Sequence, residues 1–187
     1  MTQLMTEQGM VKVPAGTWKV DQAHSSVAFE VKHMMISTVR GLLSEYDGTL
    51  EAQEDPERSR VTGWAAAASI DTGNADRDAH LRGPDFFDAD RYPRMSFVST
   101  GIRHLEGGTY AVTGDLTIKG VTREVTVEAT VQGTGEDPWG NQRAGIAVRG
   151  SIDRTDFGLT WQSRLAGGGL LVGEEVGLLL DLSAVAS

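Results

Sequence analysis

The residues that could carry out catalysis lie close together near the start of the chain. Asp21, His24 and Ser25 supply a carboxylate, an imidazole and a hydroxyl, the groups with which hydrolytic enzymes activate a nucleophile. Adjacent side chains point to opposite faces of an extended strand, so His24 and Ser25 are not expected to meet. A hydrolytic or metal-dependent enzyme that uses the region of His24 and His33 stays an alternative, but we predict no catalytic residue.

The four histidines could also bind a metal ion. His24, His33, His80 and His104 lack the short spacing that places two ligands on one face of an element. Cysteine is absent, which excludes disulfides, thiolate chemistry and cysteine-based metal sites. We therefore predict neither a metal site nor a cofactor.

A third candidate is a group of charged residues on one short predicted helix, residues 75–83. Arg77 and the start of this helix could bind a pyrophosphate head group. The alternative, which we favour, is a structural network in which Arg77 and Asp78 fix the helix to its neighbours. Together with His24 and His80, these two residues are our candidates for a head-group site or for the rim of the fold.

Strands must position these groups, because the strongest pattern in the chain has period two. From Tyr110 to Ile118 and from Val125 to Val131, apolar or small residues alternate with polar ones. Gly120 lies between the two runs and can adopt the positive φ that a tight hairpin often needs. The two runs predict a long antiparallel hairpin with one apolar face.

Shorter runs of the same kind predict further strands, separated by Gly and Pro turns. About eight strands result, so the sheet could close into an up-and-down barrel or fold into a sandwich. We predict an all-β fold, an extended antiparallel barrel of eight strands with one short helix. The further strands are expected at residues 17–21, 26–32, 43–52, 61–68, 95–102, 146–152 and 176–182.

Small residues occupy much of the predicted apolar side. Gly63, Ala65 and Ala67 follow one another on one strand, and Gly114 and Gly150 lie on others. An eight-stranded barrel is wide enough for filling side chains or for one slender ligand. We favour an internal space for a ligand, whereas in the alternative larger neighbours fill it. These neighbours are Phe29, Met35, Trp64 and Phe97.

The composition limits the partners and the location. The chain has 187 residues, a size that fits one domain. Its net charge of -9 and its lack of basic runs argue against a nucleic-acid partner. No stretch is apolar enough to span a bilayer, and residues 1–16 show no signal-peptide pattern. We expect a soluble cytoplasmic protein, which could form a homodimer through exposed strand edges.

Four blocks of the sequence resemble those of the YceI-like family, the polyisoprenoid-binding proteins. The resemblance covers about Gly16 to Leu182 in order. It implies a lipocalin-like barrel whose tunnel takes a polyisoprenoid, an isoprenoid quinone or a similar lipid, for carriage, storage or sensing. Many members carry an export signal, and none is visible here. The blocks are Trp18–Asp21 with His24–Ser25, Arg77–Leu81 with Asp85–Asp88 and Tyr92–Pro93, Gly114–Thr122, and Asp153–Gly158 with Val172–Val176.

The lining of this tunnel follows from the parity of each strand, with the apolar side as the interior. Two segments are candidates for the entrance, the adaptable Met34-Met35-Ile36 and a flap around Gly167–Gly169. A structural or stress-related interaction protein with a filled core is the remaining alternative. We expect a flexible tail at residues 1–15 and one barrel domain at residues 16–187. The candidate ligand-binding residues are Phe29, Val31, Met35, Ala65, Phe97, Leu116, Ile118, Val127, Ile146, Val148, Phe157, Trp161, Leu178 and Leu180.

Overall fold

The described part of the computed structural model, residues 11–187, consists mostly of antiparallel strands. One α-helix, α1 (Ala75–Arg82), interrupts them, as the sequence predicts. The strands are β1 (Gly16–Val20), β2 (Ser26–His33), β3 (Ser37–Leu43), β4 (Tyr46–Ala52), β5 (Arg60–Ala66), β6 (Ile70–Asp71), β7 (Arg94–Glu106), β8 (Thr109–Ile118), β9 (Val121–Glu136), β10 (Gln142–Asp153) and β11 (Val172–Ala186).

Three pairs of these strands act as single long strands with a kink. The last strand, β11, pairs through Ala186 with Trp18 of β1 and through Leu178 with Phe29 of β2. Strands β3 and β4 continue each other in the same way, as do β5 and β6. Counted so, eight strands follow one another around the molecule, and the contact between β1 and β11 closes the ring. The structure confirms the predicted eight-stranded antiparallel barrel.

The kinks explain where the predicted strand boundaries fail. The sequence predicts one strand over residues 43–52, but the chain bends at Ser44 and Glu45, and β3 adds a strand from Ser37 to Leu43. A short 3-10 turn at residues 22–24 separates β1 from β2, and the carboxylate of Asp21 caps it by accepting a hydrogen bond from the Ala23 backbone. Such caps satisfy backbone donors at the start of a turn, so the bend costs few hydrogen bonds.

The predicted hairpin forms from β8 and β9. Val112 lies opposite Val127, and Tyr110 lies opposite Ala129, so the apolar residues of both strands share the inner face. The turn between the strands holds two residues with positive φ, Lys119 and Gly120. The aromatic ring of Tyr92 covers Gly120 so closely that a Cβ there would lie 2.7 Å from it. Glycine is required at this position both by φ and by space.

The two ends of the barrel are covered by different segments. At the end that we call the helix end, α1 and the segments around Phe86 and Phe157 pack into one cluster with Met95 and Ile118. The buried guanidinium of Arg154 donates to the carbonyls of Gly173 and Trp161 and thereby fixes the loop between β10 and β11. This end is therefore filled by side chains of the protein.

At the opposite end, which we call the strap end, residues 11–15 lie across the barrel; we call them the N-terminal strap. The Val11 amide donates to the Gly107 carbonyl at 3.0 Å, and the Tyr110 hydroxyl donates to the Val11 carbonyl at 2.8 Å. Val13 is buried in a cluster with Trp18 and small residues of three strands. The strap is thus packed, whereas residues 1–10 of the predicted tail lie outside the described residues.

Within residues 11–187, no helix has the length and apolar composition needed to cross a bilayer.

Candidate functional site

The barrel encloses a cavity of about 350 Å³ between the two end clusters. Its walls come from all the strands except β6 and from a few residues outside the strands, and most of these residues are apolar. The volume falls within the range of about 300–1,000 Å³ that small-molecule sites occupy. The inward side chains of the longest strands are Met95, Phe97 and Ile102 on β7, Tyr110, Val112, Leu116 and Ile118 on β8, Val125, Val127, Ala129 and Val131 on β9, Ile146, Val148 and Ile152 on β10, and Leu178, Leu180, Leu182 and Ala184 on β11.

Two glycines that face each other leave the space in the wall of the cavity. Gly48 of β4 pairs with Gly63 of β5, and both line the cavity. A Cβ on Gly63 would meet only the Asp47 carbonyl oxygen at 3.3 Å and the Gly48 Cα at 3.9 Å. No side chain of the protein lies within 4 Å of that Cβ position. Ala65, the next residue on the inner face of β5 after Gly63, has a small side chain and occupies little of the cavity.

Other inward glycines have the opposite effect. A Cβ on Gly114 would lie 2.5 Å from the Phe97 ring, and a Cβ on Gly150 would lie 2.8 Å from Val127. At these positions a neighbouring side chain fills the gap, as in the alternative considered from the sequence. Trp64 does not serve this purpose, because its ring stacks under the Arg94 guanidinium at 3.9 Å. Among these inward glycines, Gly63 is therefore the one beside which the space stays open, because Val20 lies 3.2 Å from the position of a Gly48 Cβ.

Most of the ligand-binding candidates chosen by strand parity lie in the cavity wall. Parity succeeds because every strand keeps the same alternation around the closed ring. The candidates in the wall are Ala65, Phe97, Leu116, Ile118, Val127, Ile146, Val148, Leu178 and Leu180.

Phe29 and Val31 have the predicted parity but lie outside the cavity wall. Phe29 is opposite Gly41 of β3, and its ring occupies the space where a Gly41 side chain would stand. Val31 pairs with Val39 and Val176 at the far end of the β2–β3 hairpin. The kink between β1 and β2 carries this hairpin beyond the cavity.

The three remaining candidates belong to segments outside the strands. Phe157 is almost wholly buried in the helix-end cluster, and Trp161 packs against that cluster. Met35 is 59% exposed at the tip of the β2–β3 hairpin, where both it and Met34 have positive φ. Phe157 and Trp161 help to fill the helix end, Met35 is exposed at the hairpin tip, and none of the three lines the cavity.

The charged candidates on α1 form an internal network. The carboxylate of Asp78 accepts hydrogen bonds from the Thr72 amide at 2.9 Å and from the Thr72 hydroxyl at 2.6 Å. Arg77 donates to the same threonine, to its hydroxyl at 2.7 Å and to its carbonyl at 2.8 Å. Both side chains thus hold the loop before α1, which is the structural alternative that the sequence favours.

His80 lies in an aromatic cluster at the helix end. Its ring contacts those of Phe86 and Trp161 edge to face, with centroid distances of 5.1 Å and 4.8 Å. Its Nε2 atom is hydrogen bonded to the Asp85 carboxylate at 2.9 Å. An outer depression beside α1 is lined largely by polar residues, but its charged side chains Asp71, Asp78 and Arg82 form hydrogen bonds within the protein.

His24 belongs to a charged cluster on the outside of the barrel. Asp21 accepts hydrogen bonds from Arg143 at 2.7 Å and contacts His24 at 2.7 Å. These two partners lower the pKa of Asp21 to about 2. The Asp137 carboxylate accepts hydrogen bonds from the Asn141 side chain and from the Nε atom of Arg143. These hydrogen bonds hold the pKa of Asp137 well below its usual value. The cluster links the kink after β1 to the turn between β9 and β10.

The same region lacks the geometry of a hydrolytic site. The Ser25 hydroxyl accepts a hydrogen bond from the Ser183 amide at 2.9 Å, whereas His24 is bound to Asp21. A serine nucleophile needs a base within hydrogen-bonding distance. Among the described residues, no group of three histidine, aspartate or glutamate side chains is arranged to hold a metal ion.

Sequence reasoning missed several parts of the wall. Val27, Tyr110, Val112, Val125 and Leu182 share the parity of neighbours that it selected, so the same rule would have found them. Four wall residues among those described lie outside the strands, and all four are at the strap end; no periodic signal marks them. These four residues, which we call the mouth, are Lys12, Val13, Pro56 and Ser59.

Comparison with known proteins agrees with this architecture. Residues 18–184 match the family model described as YceI-like domain. The UPF0312 protein plu2095 of Photorhabdus laumondii is 39% identical over 146 residues, which cover 76% of either chain. The crystal structure of BcnA from Burkholderia cenocepacia has a TM-score of 0.77 at 28% identity and covers 88% of this chain and 98% of BcnA. A polyisoprenoid binding domain from Saccharophagus degradans, implicated in plant cell wall breakdown, shares the fold, with a TM-score of 0.69 at 15% identity over 91% of this chain and 98% of that domain.

Proposed function

The chain belongs to the YceI-like family, and from this premise we propose that it binds one long-chain hydrophobic ligand, a polyisoprenoid or a similar lipid, inside the barrel. The observation that carries the proposal is the cavity of about 350 Å³ with an apolar wall. The binding activity in the name of the Saccharophagus degradans domain supports the same class of ligand. Carriage, storage and sensing of the lipid all require this binding step.

The energetics of such a site favour long chains. Each buried methylene contributes up to about 0.8 kcal/mol, so a five-carbon isoprene unit contributes roughly 3 kcal/mol in a dry cavity. Association of two molecules costs about 4–15 kcal/mol in lost freedom, which several units must offset. An apolar wall with few polar groups offers little else for recognition. Chain length should therefore dominate the affinity.

A titration with prenyl alcohols of increasing length tests the proposal. The protein, freed of lipid by organic extraction and refolding, is titrated with alcohols of two, three, four and more isoprene units. We expect the affinity to rise steeply with each unit and to level off once the cavity is filled. Tryptophan fluorescence, to which Trp18 in the cavity wall contributes together with Trp64, Trp139 and Trp161, offers one readout, and calorimetry offers a second.

A flat dependence on chain length would overturn the proposal and support a structural protein without a ligand site. Native mass spectrometry of the protein as purified provides an independent check, because a bound lipid adds its mass to each chain. It also reports the subunit count. The homodimer and the cytoplasmic location stay predictions.

A further inference from the structure

The mouth of the cavity contains one cation, the ammonium of Lys12. The family model matches residues 18–184, so the N-terminal strap that carries Lys12 precedes the shared domain. The strap nevertheless contributes to the cavity wall through Lys12 and Val13. Among the described residues, wall residues outside the strands occur at this end alone, and one of them, Lys12, lines the cavity with a side chain that is partly exposed, so we infer that the cavity meets solvent here.

The aliphatic part of the Lys12 side chain forms part of the cavity wall, and its ammonium group lies near solvent. Its side chain is 19% exposed, although lysine side chains are usually well exposed. Its Nζ atom donates to the Glu54 backbone carbonyl at 2.5 Å and to the Glu54 carboxylate at 3.2 Å. The long stem thus runs along the wall, and the charge sits at the boundary between the cavity and solvent.

The carboxylate that pairs with Lys12 is easily displaced. The side chain of Glu54 is 87% exposed, and ion pairs with such exposed partners contribute little to stability. The two other acidic residues of this loop are engaged elsewhere. Asp55 accepts a hydrogen bond from the Glu57 amide at 3.1 Å and pairs with Arg58, while Glu57 accepts from the His104 amide at 2.9 Å. An incoming anion therefore competes with Glu54 for the ammonium.

We propose that Lys12 binds the anionic head group, phosphate or carboxylate, of the lipid whose chain fills the cavity. This inference rests on the proposed function and adds the class and the orientation of the ligand. The chain points toward the helix end, which the cluster around Phe157 closes, and the head group stays at the mouth. The candidates on α1 lie at the opposite end, so they are not part of this head-group site.

A matched pair of ligands tests the proposal, farnesyl phosphate and farnesol, which share one chain and differ in charge. For the wild-type protein we expect tighter binding of the phosphate. The variant Lys12→Met keeps the unbranched stem and removes the charge. It should lose about ten-fold in affinity for farnesyl phosphate and keep its affinity for farnesol, because a hydrogen bond to a charged group is lost only with the first ligand.

Two further variants separate a local contact from a general effect of charge. Lys19→Met makes the same chemical change on the exposed face of β1 and should leave both affinities unchanged. Lys12→Arg keeps the charge and should retain most of the preference for the phosphate. Inorganic phosphate should not displace farnesyl phosphate, because it has no chain to bury; displacement would assign the cation to a free-anion site and overturn the proposal.

The outcomes distinguish this inference from the proposed function. If Lys12→Met binds both ligands as the wild type does, Lys12 has no role in head-group recognition, and the lipid site itself stands. If neither farnesyl phosphate nor farnesol binds the wild type, or if the affinity for prenyl alcohols does not depend on their length, the proposed function itself fails. A thermal melt of each variant shows that the strap end is still folded, since Val13 and Trp18 remain buried together only in the native barrel.

Discussion

Glycine residues inside the barrel have two distinct effects on its interior. Gly114 and Gly150 make room for Phe97 and Val127, so they allow the protein to fill itself. Gly63 faces Gly48, and no side chain takes the place that a Gly63 side chain would occupy, whereas Val20 lies 3.2 Å from the position of a Gly48 Cβ. A single inward residue can therefore decide whether the centre of the barrel is wall or binding site.

Replacement of Gly63 by valine should narrow the cavity. The new Cβ meets the Asp47 carbonyl at 3.3 Å, a contact that a small shift relieves, and the two methyl groups project into the cavity. They displace about two or three methylenes of ligand, so the affinity for a chain of filling length should fall by roughly 30-fold. Short prenyl alcohols should bind as before. The measurement is the titration over chain length.

Gly135→Val is the control, because Gly135 is exposed on β9 and a Cβ there meets nothing within 4 Å. It should leave all affinities unchanged. If Gly63→Val alters neither the affinity nor the length at which it levels off, the cavity between Gly63 and Gly48 is not the place where the chain lies.

At the scale of elements, one polar cluster on the outside of the barrel, which we call the clamp, fixes the kink after β1. Arg143 of β10 lies between Asp21, at the kink after β1, and Asp137, in the turn after β9. Asp137 in turn accepts hydrogen bonds from the Trp139 and Asn141 amides, which fixes the turn. The clamp joins the first strand to the last hairpin, near the contact that closes the ring.

The Asp21 clamp predicts a particular dependence of stability on pH. The pKa of Asp21 is lowered from 3.8 to about 2 by its partners, so folding favours the ionised form. This contribution is complete above about pH 4 and is lost as the pH falls through about 2. Asp21→Asn should lower the melting temperature at pH 7 by a few degrees and should flatten the decrease between pH 4 and pH 2.

The matched control is Asp115→Asn, which removes one exposed carboxylate from the outer face of β8. Thermal melts of both variants and of the wild type, recorded from pH 2 to pH 7, measure the difference. If the melting temperature of Asp21→Asn falls between pH 4 and pH 2 as steeply as that of the wild type, this carboxylate does not couple protonation to folding.

The sequence predicts those elements whose pattern is local and regular. The β8–β9 hairpin follows from its alternation and from Gly120, and α1 follows from its cap and its end. The strand β3 was missed because Ser37, Thr38 and Arg40 are polar and Val39 alone marks the inner face before Gly41. The same rule of parity placed most wall residues but could not place Phe29, because the kink that removes Phe29 from the cavity depends on tertiary contacts.

The mouth could not be predicted at all. Lys12 and Val13 precede the first strand, and nothing in their spacing shows that the chain returns across the end of the barrel. Their position is fixed by partners more than 40 residues away, because Glu54 binds Lys12 and Gly107 and Tyr110 bind the preceding residue, Val11. Long-range contacts of this kind leave no periodic trace in a single sequence.

At the scale of the whole molecule, the cavity wall is shared by all eight long strands, and a ligand inside it contacts every part of the ring. Binding to such a site should stabilise the fold as a unit. At a free ligand concentration of 100 times Kd, the gain is about 2.7 kcal/mol. For a chain of this size each kcal/mol raises Tm by about 2–4 °C, so we expect an increase of roughly 5–11 °C.

Hydrogen exchange tests whether that stabilisation arises from the interior. A chain in the cavity should slow exchange in β4, β5, β8, β9, β10 and β11 together, because opening any of these strands exposes the ligand to water. A lipid held only on the outside of the barrel would protect one face and leave the amides of the opposite strands unchanged. Protection confined to one face, with a comparable rise in Tm, would therefore contradict a ligand enclosed by the ring even though binding itself was observed.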